Sequence, residues 1–363
     1  MILMGLSKIF PNMNIPSCRI YLLSFSLVLM FLVLWAHLPG ISNFNSNNKY
    51  EHIIPIRRTL SKGADGPPVL AYWILGSKGE TKRMLRLLKA IYHPRNQYLL
   101  QLDSSSSEYE RVELAISAQS ERVFADFGNV DVVGKSYGVN RMGPSGLGAM
   151  LHAAALLLRV SGDWDWFIPL SASDYPLLSQ DDILYAFTSL PKDVNFMGYT
   201  NDTAREKRQN VSQIVVDPSL YLREKTPIFY AAETREKPDA FEIFGGSPWM
   251  ILTRSFLEHC VNGWDNFPRK LLMYFSNVAF PLESYFQTIL CNTPEFQNTT
   301  VVNDDLRYKI IQNQTVKEAI NMSRQAIFAR PFNENDPELQ EIDEHLLNRD
   351  PDRVVPGKWG SRD

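Results

Sequence analysis

The chain has 363 residues, with 37 basic and 40 acidic side chains and a formal charge of −3. That balance excludes the basic excess of a nucleic-acid-binding protein, and 21% charged with 45% hydrophobic residues excludes a chain that is disordered throughout. Three cysteines are too few for a small disulfide scaffold or a four-cysteine zinc site.

Charge is unevenly spread along the chain. Ile20 to Asn48 carry none, and Ile20–Leu38 is apolar on every side. As a helix that run spans about 30 Å of hydrocarbon, so it reads as a membrane anchor. A signal peptide is the rival reading, but no A-x-A-like cleavage site follows. Lys8 and Arg19 flank one side, with Lys49, Arg57 and Arg58 beyond the other, so the positive-inside rule orients the span weakly. Residues 39–66 are rich in Asn, Ser and Gly without periodicity and read as a stem. Five N-x-S/T sequons follow, at Asn201, Asn210, Asn298, Asn313 and Asn321, and they favour a luminal C-terminal part. The expected organisation is a cytosolic tail (1–19), a transmembrane signal-anchor (20–38), a stem (39–66) and a luminal domain (67–363).

The folded part opens with a βαβ unit. Val69–Leu75 is a buried-strand run, and Gly76-Ser-Lys-Gly79 is a turn without the spacing of a phosphate loop. Thr81–Tyr92 has apolar residues at helical spacing, with Lys82, Arg83, Arg86 and Lys89 forming a basic outer face. Pro94 lies just past its end, and Gln97–Asp103 is the next strand. Val130–Val133 and Trp164–Leu170 are further strands, with the helix Ser145–Val160 between them. The alternation predicts an α/β sheet with right-handed crossovers. Ligands in such sheets gather at the carboxyl ends of strands, where Asp103 and Asp174 fall.

Gly143-Pro-Ser-Gly146 leads into a helix whose first N–H groups either face an anion or simply begin the helix. Asp163-Trp-Asp165 has the Asp-x-Asp pattern that holds divalent metals. It precedes its strand, however, which puts it at the end opposite a ligand and favours a solvated turn. The histidines show no zinc spacing, and no G-x-S-x-G elbow occurs.

Six segments, in order, resemble one family. They are Tyr72–Asp103, Gly162–Leu184, Phe244–Cys260, Phe280–Asn292, Asn303–Tyr308 and Phe328–Asp343. Together they resemble the plant branch of glycosyltransferase family 14. That family includes the core-2/I-branching β-1,6-N-acetylglucosaminyltransferases, and its plant members are β-glucuronosyltransferases of arabinogalactan. The resemblance implies a single GT-A-like α/β catalytic domain with a mixed, mostly parallel sheet, anchored as a type II Golgi membrane protein. It implies inverting transfer from a UDP-sugar, glucuronate in the first instance, to the β-galactan of a glycoprotein, with no divalent metal or other cofactor. The alternatives are a β-1,6-N-acetylglucosaminyl or other UDP-sugar transferase, or a catalytically weakened relative that binds a glycan or a partner. A metal held at Asp163 and Asp165 is the third reading.

By the same resemblance, Glu283 of Pro281-Leu282-Glu283, opening a helix, is the base for the acceptor hydroxyl. A first-turn carboxylate is also favoured by the helix dipole. Arg307 and Arg330 supply charge to the departing diphosphate, and Asp103 contacts the nucleotide. Asp174 lies near the donor sugar, Gly246 and Ser247 precede the strand that fronts the acceptor, and Trp249 stacks on a sugar or belongs to the core. The sequence departs from the family in three places. Proline stands at 331 where a lysine is usual, roughly ten residues are missing after Tyr308, and Gly360 replaces the cysteine expected after Trp359. Cys260 and Cys291 either pair or stay as thiols.

Overall fold

The computed structural model describes residues 66–200, 211–222, 224–263, 265–296, 300–310 and 326–358. Its first strand, β1 (Leu70–Gly76), alternates between two cores. Leu70, Tyr72 and Ile74 pack in one, and Ala71 and Trp73 in the other. A strand that is apolar on both faces belongs in the middle of a sheet covered on both sides.

The next strands are β2 (Gln97–Leu102), β3 (Val130–Val132) and β4 (Trp166–Ser171), then β5 (Tyr175–Pro176) and β6 (Asn195–Thr200). They are followed by β7 (Gln213–Val216), β8 (Phe229–Thr234) and β9 (Gly245–Thr253), then β10 (Val301–Val302), β11 (Arg307–Lys309) and β12 (Phe328–Arg330). The main sheet has the order β10-β6-β9-β4-β1-β2-β3. β1 pairs in parallel with β2 and β4, β2 with β3, and β10 with β6. β9 runs antiparallel to both β4 and β6. The expected mixed, mostly parallel α/β sheet is therefore present. β5, β12 and β11 form a small second sheet, and β7 pairs with β8.

One face of the main sheet is covered by α1 (Thr81–Ala90), α2 (Glu108–Ser120), α3 (Arg122–Phe127), α5 (Gln180–Thr188) and α9 (Pro337–His345). The other is covered by α4 (Pro144–Val160), α6 (Arg254–Asn262), α7 (Phe267–Phe275) and α8 (Tyr285–Asn292). The expected helix Thr81–Tyr92 stops at Ala90, and Tyr92 turns inward to stack on Tyr98 and pack at a tilt against Phe124. Most of its basic face is not solvated either. Arg83 pairs with Glu80, Arg86 with Asp343 and Lys89 with Glu121.

Asp343 fastens the C-terminal segment to the strands. Its carboxylate accepts from Tyr175 Oη at 2.6 Å, Arg349 Nε at 2.6 Å and Arg86 Nη2 at 2.8 Å, and it is fully buried. This network joins α9, α1 and β5, and β5 pairs with β12. Removing one partner of such a buried network leaves an uncompensated charge, which costs about 3–5 kcal/mol.

The anchor 20–38, nearly all of the stem and all five sequon asparagines lie outside the described residues. Among the described residues no helix is long and apolar enough to cross a membrane. No disulfide joins Cys260 to Cys291 among them, and burial pushes both thiols up, that of Cys291 to about 11.

Candidate functional site

The strands β3-β2-β1-β4 reverse their order of winding between β1 and β4, so a crevice opens beyond their carboxyl ends. Asp103 follows β2 there. It is buried and accepts from Ser105 N at 3.0 Å, from Ser105 Oγ, and from Ser77 Oγ at 3.3 Å. Lys225 Nζ stands 3.8 Å away. The turn after β1 that brings Ser77 across needs Gly79, whose φ is +80°. Asp103, Ser77 and Lys225 line a cavity of about 640 Å³.

Asp174 follows β4 at the same end. Its Oδ2 accepts from Ser171 N and Ser171 Oγ, both at 2.6 Å. Its Oδ1 faces Arg307 Nη1 at 3.5 Å and Arg330 Nε at 3.3 Å. Those contacts are ionic, without a hydrogen bond to Oδ1. The small sheet explains the meeting, because Arg307 lies on β11, Arg330 on β12, and β12 pairs with β5 immediately after Asp174. Burial pulls both guanidinium groups below their ordinary value, and Asp174 opposes that shift. Both remain charged at neutral pH. The two are not equivalent. Arg307 is 3% exposed and donates to the Pro169 carbonyl at 2.6 Å, whereas Arg330 is 20% exposed.

Trp249 is half-buried on β9, with the Arg330 guanidinium 4.1 Å and that of Arg307 5.0 Å from its ring centroid. At these distances the indole holds cations by its quadrupole. It is neither plain core nor an unoccupied sugar platform. Gly246 and Ser247 lie inside β9 rather than before it. A Cβ on Gly246 would stand 1.8 Å from the Gly198 carbonyl oxygen, so only glycine fits. Ser247 Oγ donates to Asp305 Oδ2 at 2.5 Å, and its carbonyl accepts from Gln287 Nε2 at 2.7 Å.

Glu283 closes the crevice from the opposite face. Pro281–Glu283 is a 3₁₀ turn, and α8 begins only at Tyr285. The carboxylate therefore stands just before the helix, not in its first turn, but still at its positive end. Glu283, Trp249, Arg330 and Ser171 line a second cavity of about 210 Å³. Leu75, Val139, Arg141 and Met142 line both cavities. The structure thus brings Asp103, Arg330, Trp249 and Glu283 onto one continuous crevice. Arg307 and Asp174 stand behind it as support, and Gly246 and Ser247 brace its strand.

Asp163 and Asp165 stand at the other end of β4. Asp165 Oδ2 accepts from Val69 N at 2.9 Å, which makes it a strand-start bond. The first N–H groups of α4 meet an anion from the chain itself, since Ser145 N donates to Asp217 Oδ2 at 3.0 Å. Three further residues join the site without having stood out in the sequence. Arg141, Lys225 and Asp305 are charged loop residues of ordinary appearance. None of the three carries a pattern in the sequence that marks it.

Against known proteins, residues 70–324 match the family described as Core-2/I-Branching enzyme. The chain is 44% identical over 302 residues to beta-glucuronosyltransferase GlcAT14A of Arabidopsis thaliana, covering 81% of this chain and 67% of that one. It is 42% identical over 333 residues to GlcAT14C of the same plant, covering 90% and 84%. Xylosyltransferase 1 of Homo sapiens is 30% identical over 244 residues, covering 66% of this chain and 24% of that one.

Asp174→Asn takes the paired carboxylate away from the buried Arg307 and the partly exposed Arg330. Urea denaturation is expected to show a loss of about 3–5 kcal/mol in unfolding free energy.

Proposed function

We propose, because the chain belongs to the Core-2/I-branching enzyme family and is a glycosyltransferase, that it transfers glucuronic acid from UDP-glucuronate to the β-galactan of arabinogalactan-type glycoproteins. The relatives at 44% and 42% identity are beta-glucuronosyltransferases, and the donor is carried over from them. The observation that carries the mechanism is the crevice itself. It has a carboxylate, Glu283, and a guanidinium, Arg330, in one cavity that adjoins the cavity of Asp103.

In this reading the uridine lies beside Asp103 and the sugar lies between Arg330 and Glu283. The acceptor hydroxyl attacks the anomeric carbon from the Glu283 side. Its oxygen forms the new bond to carbon, its proton passes to the Glu283 carboxylate, and the bond to the diphosphate breaks with its electron pair going to UDP. Attack opposite the leaving group inverts the anomeric centre. Negative charge grows on the diphosphate in the transition state, and fixed guanidinium charge in a partly buried site stabilises it. Arginine does the work of a divalent cation here, so the reaction proceeds without metal.

With the purified full chain, UDP-glucuronate and β-galactan oligosaccharides, transfer is expected in excess EDTA. Glu283→Gln is expected to lower kcat by about 10²–10⁴-fold, the usual worth of a positioned base. Full activity of that variant would remove Glu283 from the base role, and loss of activity on chelation would restore a metal.

We place the chain in the Golgi membrane as a type II protein, anchored by residues 20–38 with its sequons in the lumen. In sealed Golgi vesicles, added protease is expected to leave residues 67–363 intact until detergent is present. Cleavage without detergent would reverse the orientation.

A further inference from the structure

The positive charges around the crevice are nearly all spoken for. Arg307 and Arg330 share Asp174, with Asp305 also near both. Lys225 faces Asp103, and Arg83 pairs with Glu80 and donates to the Phe332 carbonyl. Lys78 lies at the outer rim toward Glu110. Arg141 differs from all of these. It is exposed, and among the described residues no carboxylate forms an ion pair with it.

Its backbone is nevertheless fixed. Asn140 N donates to Ser145 Oγ at 2.8 Å, Met142 N to Asn140 Oδ1 at 3.2 Å, and Gly143 N to Asn140 O at 3.1 Å. Phe280 N donates to the Met142 carbonyl at 2.8 Å, which ties this loop to the turn that carries Glu283. Arg141 thus stands on a braced loop, on the wall shared by the two cavities. It is close enough to Arg330 for the two charges to repel, which adds to the effect of burial in pulling Arg330 down. Arg141 and Arg330 both line the Glu283 cavity, and since Asp174 pairs with Arg330 but not with Arg141, the second guanidinium adds a positive potential that an anion relieves.

We propose that Arg141 is a diphosphate-binding residue, which with Arg330 grips the donor's pyrophosphate where the nucleotide cavity meets the cavity of Glu283. This rests on the reading of the substrate as a nucleoside diphosphate sugar. The position distinguishes the diphosphate from other anions. A sugar carboxylate would lie deeper, within the Glu283 cavity alone, whereas Arg141 lines both. The planar fork suits two phosphate oxygens at once, and the exposed side chain swings onto the ligand without breaking any ion pair. Position 331, next to Arg330, is proline and supplies no charge, so Arg141 is the second cation of the grip.

The test is calorimetric titration of the full chain and its Arg141→Gln and Arg141→Lys variants with uridine, UDP and UDP-glucuronate. Arg141→Gln is expected to weaken UDP and UDP-glucuronate alike by about tenfold or more, the scale of one charge-assisted contact. Uridine binding stays unchanged, and Arg141→Lys recovers part of the loss. Unchanged UDP affinity in Arg141→Gln would overturn the proposal. So would a loss confined to UDP-glucuronate, which would make Arg141 a reader of the sugar carboxylate. An equal loss for uridine would also overturn it, by showing a fold lesion. Failure of the unmodified chain to bind UDP at all is a different result, because it removes the nucleotide-sugar reading on which the proposal stands.

Discussion

The site depends on one buried carboxylate. Asp174 is held from one side by Ser171 and holds Arg307 and Arg330 on the other. Without it, two guanidinium groups beside the same indole would repel each other in a medium of low dielectric. With it, the inner arginine becomes a strut and the outer one faces the crevice. The strut reaches across to the Pro169 carbonyl of β4, so the small sheet that carries both arginines is locked to the main sheet that ends in Asp174. The positions of Trp249 and Arg330 follow from that lock.

The fold serves this arrangement by polarity. Parallel strands bring their carboxyl ends together, so Ser77, Asp103 and Asp174 gather although they are far apart in sequence. The antiparallel strand β9 then brings Trp249 to the same end from the opposite direction, and the turn before α8 brings Glu283. The Asp-x-Asp pair sits at the other end of β4 for the same reason. Asp343, with Arg349, Arg86 and Tyr175, pins the C-terminal segment behind the small sheet and fixes its angle.

Much of this was legible in the residues. The run Val69–Leu75, apolar on both faces, announces a central strand, and Gln97–Asp103 follows it as the second strand of the βαβ unit. The carboxylates at strand ends are legible by the switch-point rule. Glu283, Arg307 and Arg330 stand out by family resemblance alone, since an acidic turn and two strand arginines look ordinary in isolation. The pairing of both arginines with Asp174 was hidden, because it arises from packing between segments distant in sequence. The basic face of α1 misled for a related reason. Its charges are at solvent-exposed spacing, yet Arg86 and Lys89 are covered by partners from elsewhere in the chain. Arg141 was invisible as a lone loop cation until the two cavities showed what it stands between.

The most direct measurement is a structure of the chain with bound UDP. The account predicts uracil beside Asp103 and the diphosphate between Arg141 and Arg330, with its terminal phosphate pointing toward the cavity of Glu283. A diphosphate resting on the basic side chains of α1, or at Asp163 and Asp165 through a metal ion, would contradict it.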